Sequence, residues 1–191
     1  MTPHRFVIGA LVALSGCAGA PNPPDWQVEA SDALEYFRQD YLVGRTAAAE
    51  AEFEQARASL RRTGRADLVA RAELVRCAVR TASLELDDCP AFQPLRDDAG
   101  PEERAYADYL AGKGSYPSTG EPLSRLVATA VALRKGTIAP AEIDGAVQIA
   151  SAQGWARPLL AWLGVQAKRA EDAGDRETAA RVRKRMDLIS R

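Results

Sequence analysis

Histidine is nearly missing from this chain: one residue in 191, His4, lies in a segment that reads as a removable leader. A mature protein without imidazole has no Ser/His/Asp or Cys/His nucleophilic arrangement and no His-bearing zinc site. Serine forms neither an SxxK arrangement with Lys113, Lys135, Lys168 or Lys184 nor a GxSxG elbow, so no enzyme class is indicated. Neither charge sign dominates. With 25 basic against 26 acidic residues the net charge is -1, which offers no broad basic footprint for nucleic acid and no acidic excess for a cationic partner. No apolar stretch approaches 18 uninterrupted residues, so no transmembrane helix is expected. Alternating β-branched runs are also missing, and no strand is required anywhere.

What is present begins at the amino terminus. Met1 to Arg5 are short and basic, Phe6 to Leu14 (FVIGALVAL) are continuously apolar, and Ser15, Gly16 and Cys17 follow, the order of a secretory signal. Nine apolar residues rise about 13 Å as a helix, under half of a hydrocarbon core of roughly 30 Å, so the segment is a signal and not a span. Leu14-Ser15-Gly16-Cys17 resembles the lipobox of bacterial lipoproteins over about 17 residues. The resemblance implies cleavage before Cys17, a diacylglycerol thioether on Cys17, usually a third, amide-linked chain, and, with Ala18 next, sorting to the outer membrane, facing the periplasm. Two or three acyl chains make release from a bilayer negligible, where one holds only marginally. Ala18 to Pro24 (AGAPNPP) carries three prolines and no charge, a stiff tether between lipid and domain. The expected organisation is a signal peptide over 1–16, the lipidated cysteine and tether over 17–24, and a helical domain over 25–191.

With Cys17 assigned to lipid, Cys77 and Cys89 remain, and an even remainder in an exported protein suggests a bridge. Eleven residues separate them, a spacing that fits neither a CxxC motif nor a zinc knuckle. A loop of this size contributes roughly 3 kcal/mol through restriction of the unfolded chain. No metal or cofactor is expected.

From Asp25 onward apolar residues recur at three and four, and alanine is abundant, so the domain reads as all-α. The pattern predicts helices near 25–43, 46–62, 65–86, 101–111, 121–135, 139–153, 156–173 and 175–190, with Gly44, Gly64, Gly136, Gly154 and Gly174 as stops. Longer breaks at Asp87 to Gly100 and Gly112 to Gly120 divide the domain into blocks of about 25–86 and 101–191. The helix from Arg65 carries one stripe of Leu68, Ala72, Val75, Val79, Ala82 and Leu86. A second consists of Ala66, Ala70, Leu74, Cys77, Thr81 and Leu84. Together they leave mainly Arg65, Glu73, Arg76 and Arg80 for water, so this helix should be packed from two sides. Leu123 to Leu133 is apolar almost all round and is expected near the middle of the carboxy-terminal block.

Tyr41, Gly44, Ala49, Phe53 and Ala56 have the spacing of the second half of a tetratricopeptide repeat, and over about 24 residues the chain resembles that family. Ala33, Tyr36 and Phe37 stand where such repeats favour tryptophan, leucine and glycine, and a second echo at Gly174 and Ala179 has Arg183 in an aromatic position. The implied architecture is helical hairpins stacked as a short tetratricopeptide-like solenoid or bundle.

Three further features carry possible chemistry. Acids gather at Glu85, Asp87, Asp88, Asp97, Asp98, Glu102 and Glu103 without EF-hand order; they read as a solvated loop, with Asp98 and Glu102 serving a helix start. Tyr106, Tyr109 and Tyr116 could form an aromatic surface that stacks on sugar rings or a peptide, or could pack into the core. Arg181, Arg183, Lys184 and Arg185 form a local cationic run that could meet anionic headgroups or simply suit a helix carboxy-terminal end. The expected function is a lipid-anchored envelope adaptor that binds a protein or peptide partner through a helical-repeat surface. The alternative is a non-catalytic module for a small ligand or peptidoglycan, using the three tyrosines.

Overall fold

The computed structural model describes residues 22–190. The leader, the lipobox and Cys17 lie outside the described residues. Eight helices follow one another with no strand among the described residues: α1 (Asp25–Val43), α2 (Thr46–Arg61), α3 (Ala66–Ala82), α4 (Pro101–Leu110), α5 (Pro122–Arg134), α6 (Pro140–Ala152), α7 (Ala156–Asp172) and α8 (Arg176–Ile189). The all-α reading holds, and most helix bounds fall within a residue or two of those expected.

Local chemistry explains most of the boundaries. Pro101, Pro122 and Pro140 open α4, α5 and α6, where a missing N–H costs nothing and φ is already helical. Glu121 accepts from the Ser124 N–H at 2.9 Å and Asp175 from the Thr178 N–H at 2.9 Å, so each side chain caps the first turn of its helix. Gly44 ends α1 at φ 94°, and the Arg45 N–H reaches back to the Asp40 carbonyl at 2.8 Å, which turns the chain directly into α2.

The α1–α2 hairpin buries the residues of the repeat-like motif. Tyr41, Ala49, Phe53 and Ala56 are all enclosed, and the Phe53 ring lies 5.0 Å from that of Phe37. The two Phe rings sit tilted, an arrangement aromatic pairs prefer to a face-to-face sandwich. Phe37 thus fills the hairpin interface where a small residue would let the helices come closer.

Helix α3 is packed from two sides, as its double stripe requires. Val69, Ala72 and Val79 join the α1–α2 core, while Ala70, Leu74, Cys77, Ala78 and Ala82 join a second core built on α4 to α7. In α5, Leu126, Val127, Ala130 and Val131 are buried within that second core.

The chain also closes on itself, since α7 packs against α1 as well as α6 and α8. Arg157 at the start of α7 donates from Nε to the Tyr41 carbonyl at 2.8 Å and from Nη2 to Thr46 Oγ1 at 2.5 Å. Its guanidinium lies 4.2 Å above the Tyr41 ring. In an open solenoid each hairpin meets only its neighbours, so this contact makes the fold a closed bundle of hairpins.

Three expectations about α3 and its loop need correction. The helix ends at Ala82 and not near Leu86. Leu84 adopts φ 62°, the Glu85 N–H bonds the Arg80 carbonyl at 2.9 Å and the Leu84 N–H bonds that of Thr81 at 2.9 Å. This is a Schellman stop made without glycine, so residue type alone conceals it. Glu73, expected in water, is 5% exposed, and Arg76 and Arg80 are half-buried. Helix α2 and the segment after Cys89 cover that face. The acids are solvated only in part: Asp88, Asp97, Asp98 and Glu102 are exposed, while Glu85, Asp87 and Glu103 are half-buried. Asp87 pairs with Arg80 at 2.7 Å, Asp88 with Arg134 at 2.5 Å and Glu103 with Arg71 at 2.5 Å, each tying separate segments together. Gly100, not Asp98, is the N-cap of α4, with no side-chain cap bond, whereas Glu102 does lie in the first turn of that helix as expected.

Candidate functional site

The three tyrosines predicted from sequence meet. Tyr106 and Tyr109 project from α4 with ring centroids 6.2 Å apart. Tyr116, from the loop after it, lies 4.8 Å from Tyr106 and 5.9 Å from Tyr109. Both earlier readings apply in part. Tyr109 is in the core at 9% exposure, Tyr106 is half-buried, and Tyr116 is 37% exposed and faces solvent. The loop is held by Ser124, whose Oγ accepts from the Thr119 N–H at 3.0 Å, and by Lys135, which donates to the Gly114 carbonyl at 2.6 Å.

Tyr106 and Tyr116 form one wall of a groove of about 550 Å³ that runs between α1, α3, α4 and α5. Leu74, Val75, Ala78 and Leu123 supply its apolar surface, and Arg38, Arg71, Glu102, Glu103 and Glu121 its charged rim. Arg38 holds Glu35 at 2.6 Å and reaches toward Glu121 at 3.9 Å; Arg71 crosses to Glu103 at 2.5 Å. The hydrogen bond from Arg71 holds the Glu103 carboxyl below its usual range, so it stays ionised. Burial pushes the Tyr106 phenol up to about 12, aided by the neighbouring Tyr109 and Tyr116. Tyr106 therefore acts near neutrality as a hydrogen-bonding phenol and an apolar face, not as a base. A smaller cavity of about 240 Å³ continues behind the same three rings toward Pro117, Ser118 and Thr119.

An apolar floor, aromatic walls and a rim of both charge signs suit an extended chain whose polar groups meet the rim while side chains enter the floor. The tyrosine faces also suit a sugar ring.

Cys77 and Cys89 form a disulfide with Cα atoms 5.5 Å apart, which staples α3 to the loop after its Schellman turn. The cationic run on α8 spends much of its charge locally. Arg181 pairs with Glu177 one turn earlier, Arg183 reaches Glu171 on α7 at 2.5 Å, and Arg185 donates to Ser151 Oγ on α6 at 3.1 Å. Lys184 points to solvent. These cations join α8 to its neighbours as well as presenting a positive edge.

One constellation escaped the sequence reading. Glu73 sits under Arg57 and Arg61 of α2, and its Oε1 lies 3.5 Å from Arg57 Nη1. Burial pushes the Glu73 carboxyl above its usual range against the attraction of Arg57 and Arg76. Arg57 and Arg61 stand four residues apart on α2, a visible signal of a shared helix face, but the carboxylate beneath them comes from α3, whose N-cap, Arg65, brings a third cation beside them.

The chain gives no significant match to any family model, curated protein or solved structure.

Proposed function

We propose that this chain is a lipid-anchored adaptor of the bacterial cell envelope that holds an extended peptide segment of another envelope protein. The observation that carries the reading is the groove between α1, α3, α4 and α5, with Tyr106 and Tyr116 on its wall and Arg38, Arg71, Glu103 and Glu121 on its rim. The lipobox-like run ending at Cys17 supports an outer-membrane anchor, and the proline-rich tether before Asp25 would hold the domain just off the bilayer. Among the described residues no helix is long and apolar enough to cross a membrane, so an anchored reading places attachment in the acyl chains. Anchoring would concentrate the groove near its partner without adding a contact.

The test combines position and contact. A photo-crosslinker at Tyr116 should trap one envelope protein in cells, and Arg71→Glu should abolish the adduct. Cys17→Ala should leave the domain folded while releasing that partner from the membrane fraction. Intact mass should show a chain that starts at Cys17 with added lipid. Adducts to glycan strands alone would favour the sugar-binding use of Tyr106, Tyr109 and Tyr116, and turnover of any envelope substrate by purified protein would overturn the adaptor reading.

A further inference from the structure

On the opposite side of α3 from the tyrosine groove, the end of α2, the start of α3 and the segment around the turn at Gln93–Leu95 enclose a cleft of about 450 Å³. Its walls differ in kind. Val69, Ala91, Pro94 and Leu95 make one side apolar, and Arg57, Arg61 and Arg65 make the other cationic. Glu73 lines the same cleft between them.

The charges are incompletely matched. Arg57 divides itself between Glu54 at 3.2 Å and Glu73 at 3.5 Å, and Arg65 pairs with Asp67 at 2.6 Å. Arg61 has no ion pair among the described residues. Three cations therefore face one carboxylate inside the cleft, and Arg61 is available to a further anion. Glu73 is the converse case. Its side chain is 4% exposed, one oxygen faces Arg57, and Oε2 has no hydrogen-bond partner among the described residues. A buried acceptor left unmatched has lost its water without a replacement, a loss that a donor entering the cleft would recover.

We propose that this cleft captures the carboxy-terminal residue of a peptide whose last side chain is apolar. The three demands meet in that one unit. The free carboxylate suits the planar forks of Arg57 and Arg61, since a guanidinium can donate two parallel N–H bonds to carboxylate oxygens. The side chain next to the carboxylate meets Val69, Pro94 and Leu95. The residue's own amide N–H is the donor that Glu73 lacks, and a rotation of the last torsion of Glu73 exchanges its two oxygens between Arg57 and the ligand. A simple fatty acid has the charge and the apolar body but no donor for Glu73. A second cleft of about 180 Å³ shares Glu73 and Ala91 with the first and continues toward Arg76 and Arg80, leaving room for the preceding residue. This site stands apart from the groove across α3, and its failure would leave the adaptor reading untouched.

The experiment is calorimetric titration of the full chain with acetyl-Ala-Leu bearing a free carboxylate. One-to-one binding is expected, at least tenfold weaker for the carboxamide and for the peptide methylated on its leucine nitrogen. Arg61→Gln, an exposed change that leaves the core alone, should weaken the acid at least tenfold. In Glu73→Leu, with circular dichroism as a check on folding, the methylated and unmethylated peptides should bind alike. Equal affinity for acid and carboxamide, an unaffected Arg61→Gln variant, or no binding of the acid at millimolar concentration overturns the proposal. Octanoate binding as tightly as the peptide overturns the assignment to a peptide end.

Discussion

Trp162 donates its indole N–H to the carbonyl oxygen of Ala82 across 3.1 Å, and both residues are wholly enclosed. Ala82 is the last residue of α3, so its carbonyl is one of the four that a helix leaves without an internal partner. The largest side chain of α7 thus completes the end of α3, eighty residues earlier in the chain. Trp162→Phe keeps a ring but strands that carbonyl, and should cost about 1–3 kcal/mol in urea denaturation. A change below about 0.5 kcal/mol would mean that water replaces the indole there.

Phe53→Ala should cost about 3–5 kcal/mol, since Phe53 is fully buried against Phe37 and the Arg76 guanidinium lies 4.8 Å from its ring centroid. A loss below about 1 kcal/mol in the same assay would place the ring on the surface.

The Cys77–Cys89 bridge closes a loop across a sequence separation of 12. Replacing both cysteines by alanine should lower stability by roughly 3 kcal/mol. Thiol labelling of denatured, unreduced protein should be negative at both positions, and labelling at either would refute the bridge.

Glu73 makes stability depend on pH with a definite sign. Burial raises its carboxyl in the folded chain, opposed by Arg57, Arg76 and Arg61 and reinforced by Glu54. The folded state then holds the proton more tightly than the unfolded chain does. That stabilisation is complete below the unfolded value of roughly 4.3 and is lost as pH rises through the higher folded value. Glu73→Gln, which leaves Arg57 paired to Glu54, should therefore be more stable than the natural chain at neutral pH, with the advantage shrinking toward about pH 4. Urea midpoints at the two pH values decide it, and an advantage that does not shrink would assign the effect to packing instead of charge.

Tyr106 should ionise near 12 in the folded chain and near the ordinary phenol value of about 10 once unfolded in urea. Its contribution is complete below about 10 and fades as pH rises toward 12, because the folded state holds that proton more firmly. Tyr41 and Tyr109 are also pushed up by burial, so ultraviolet titration should show a late phenol absorbance that Tyr106→Phe lowers by one tyrosine's worth. If the late absorbance keeps its full amplitude in that variant, Tyr106 is less enclosed than the groove requires.

Much of the architecture was legible because its causes are local. Apolar spacing of three and four, prolines at 101, 122 and 140 and glycine at 44 act within a turn or two of themselves, so they located the helices and most of their ends. Cysteine arithmetic paired Cys77 with Cys89 by elimination, and Tyr106, Tyr109 and Tyr116 were close enough in the chain for a shared surface to be foreseen. The tertiary structure alone decided the rest. Leu84 ends α3 in a left-handed turn that an ordinary leucine does not announce. Glu73 reads as a solvated position on its own helix and is buried because α2 and the segment after Cys89 lie over it. Arg157 meets Tyr41, and Trp162 meets Ala82, only after the bundle has closed. Helix periodicity shows which face of a helix is apolar; what covers that face, and whether a charge there keeps its water, depends on helices distant in sequence.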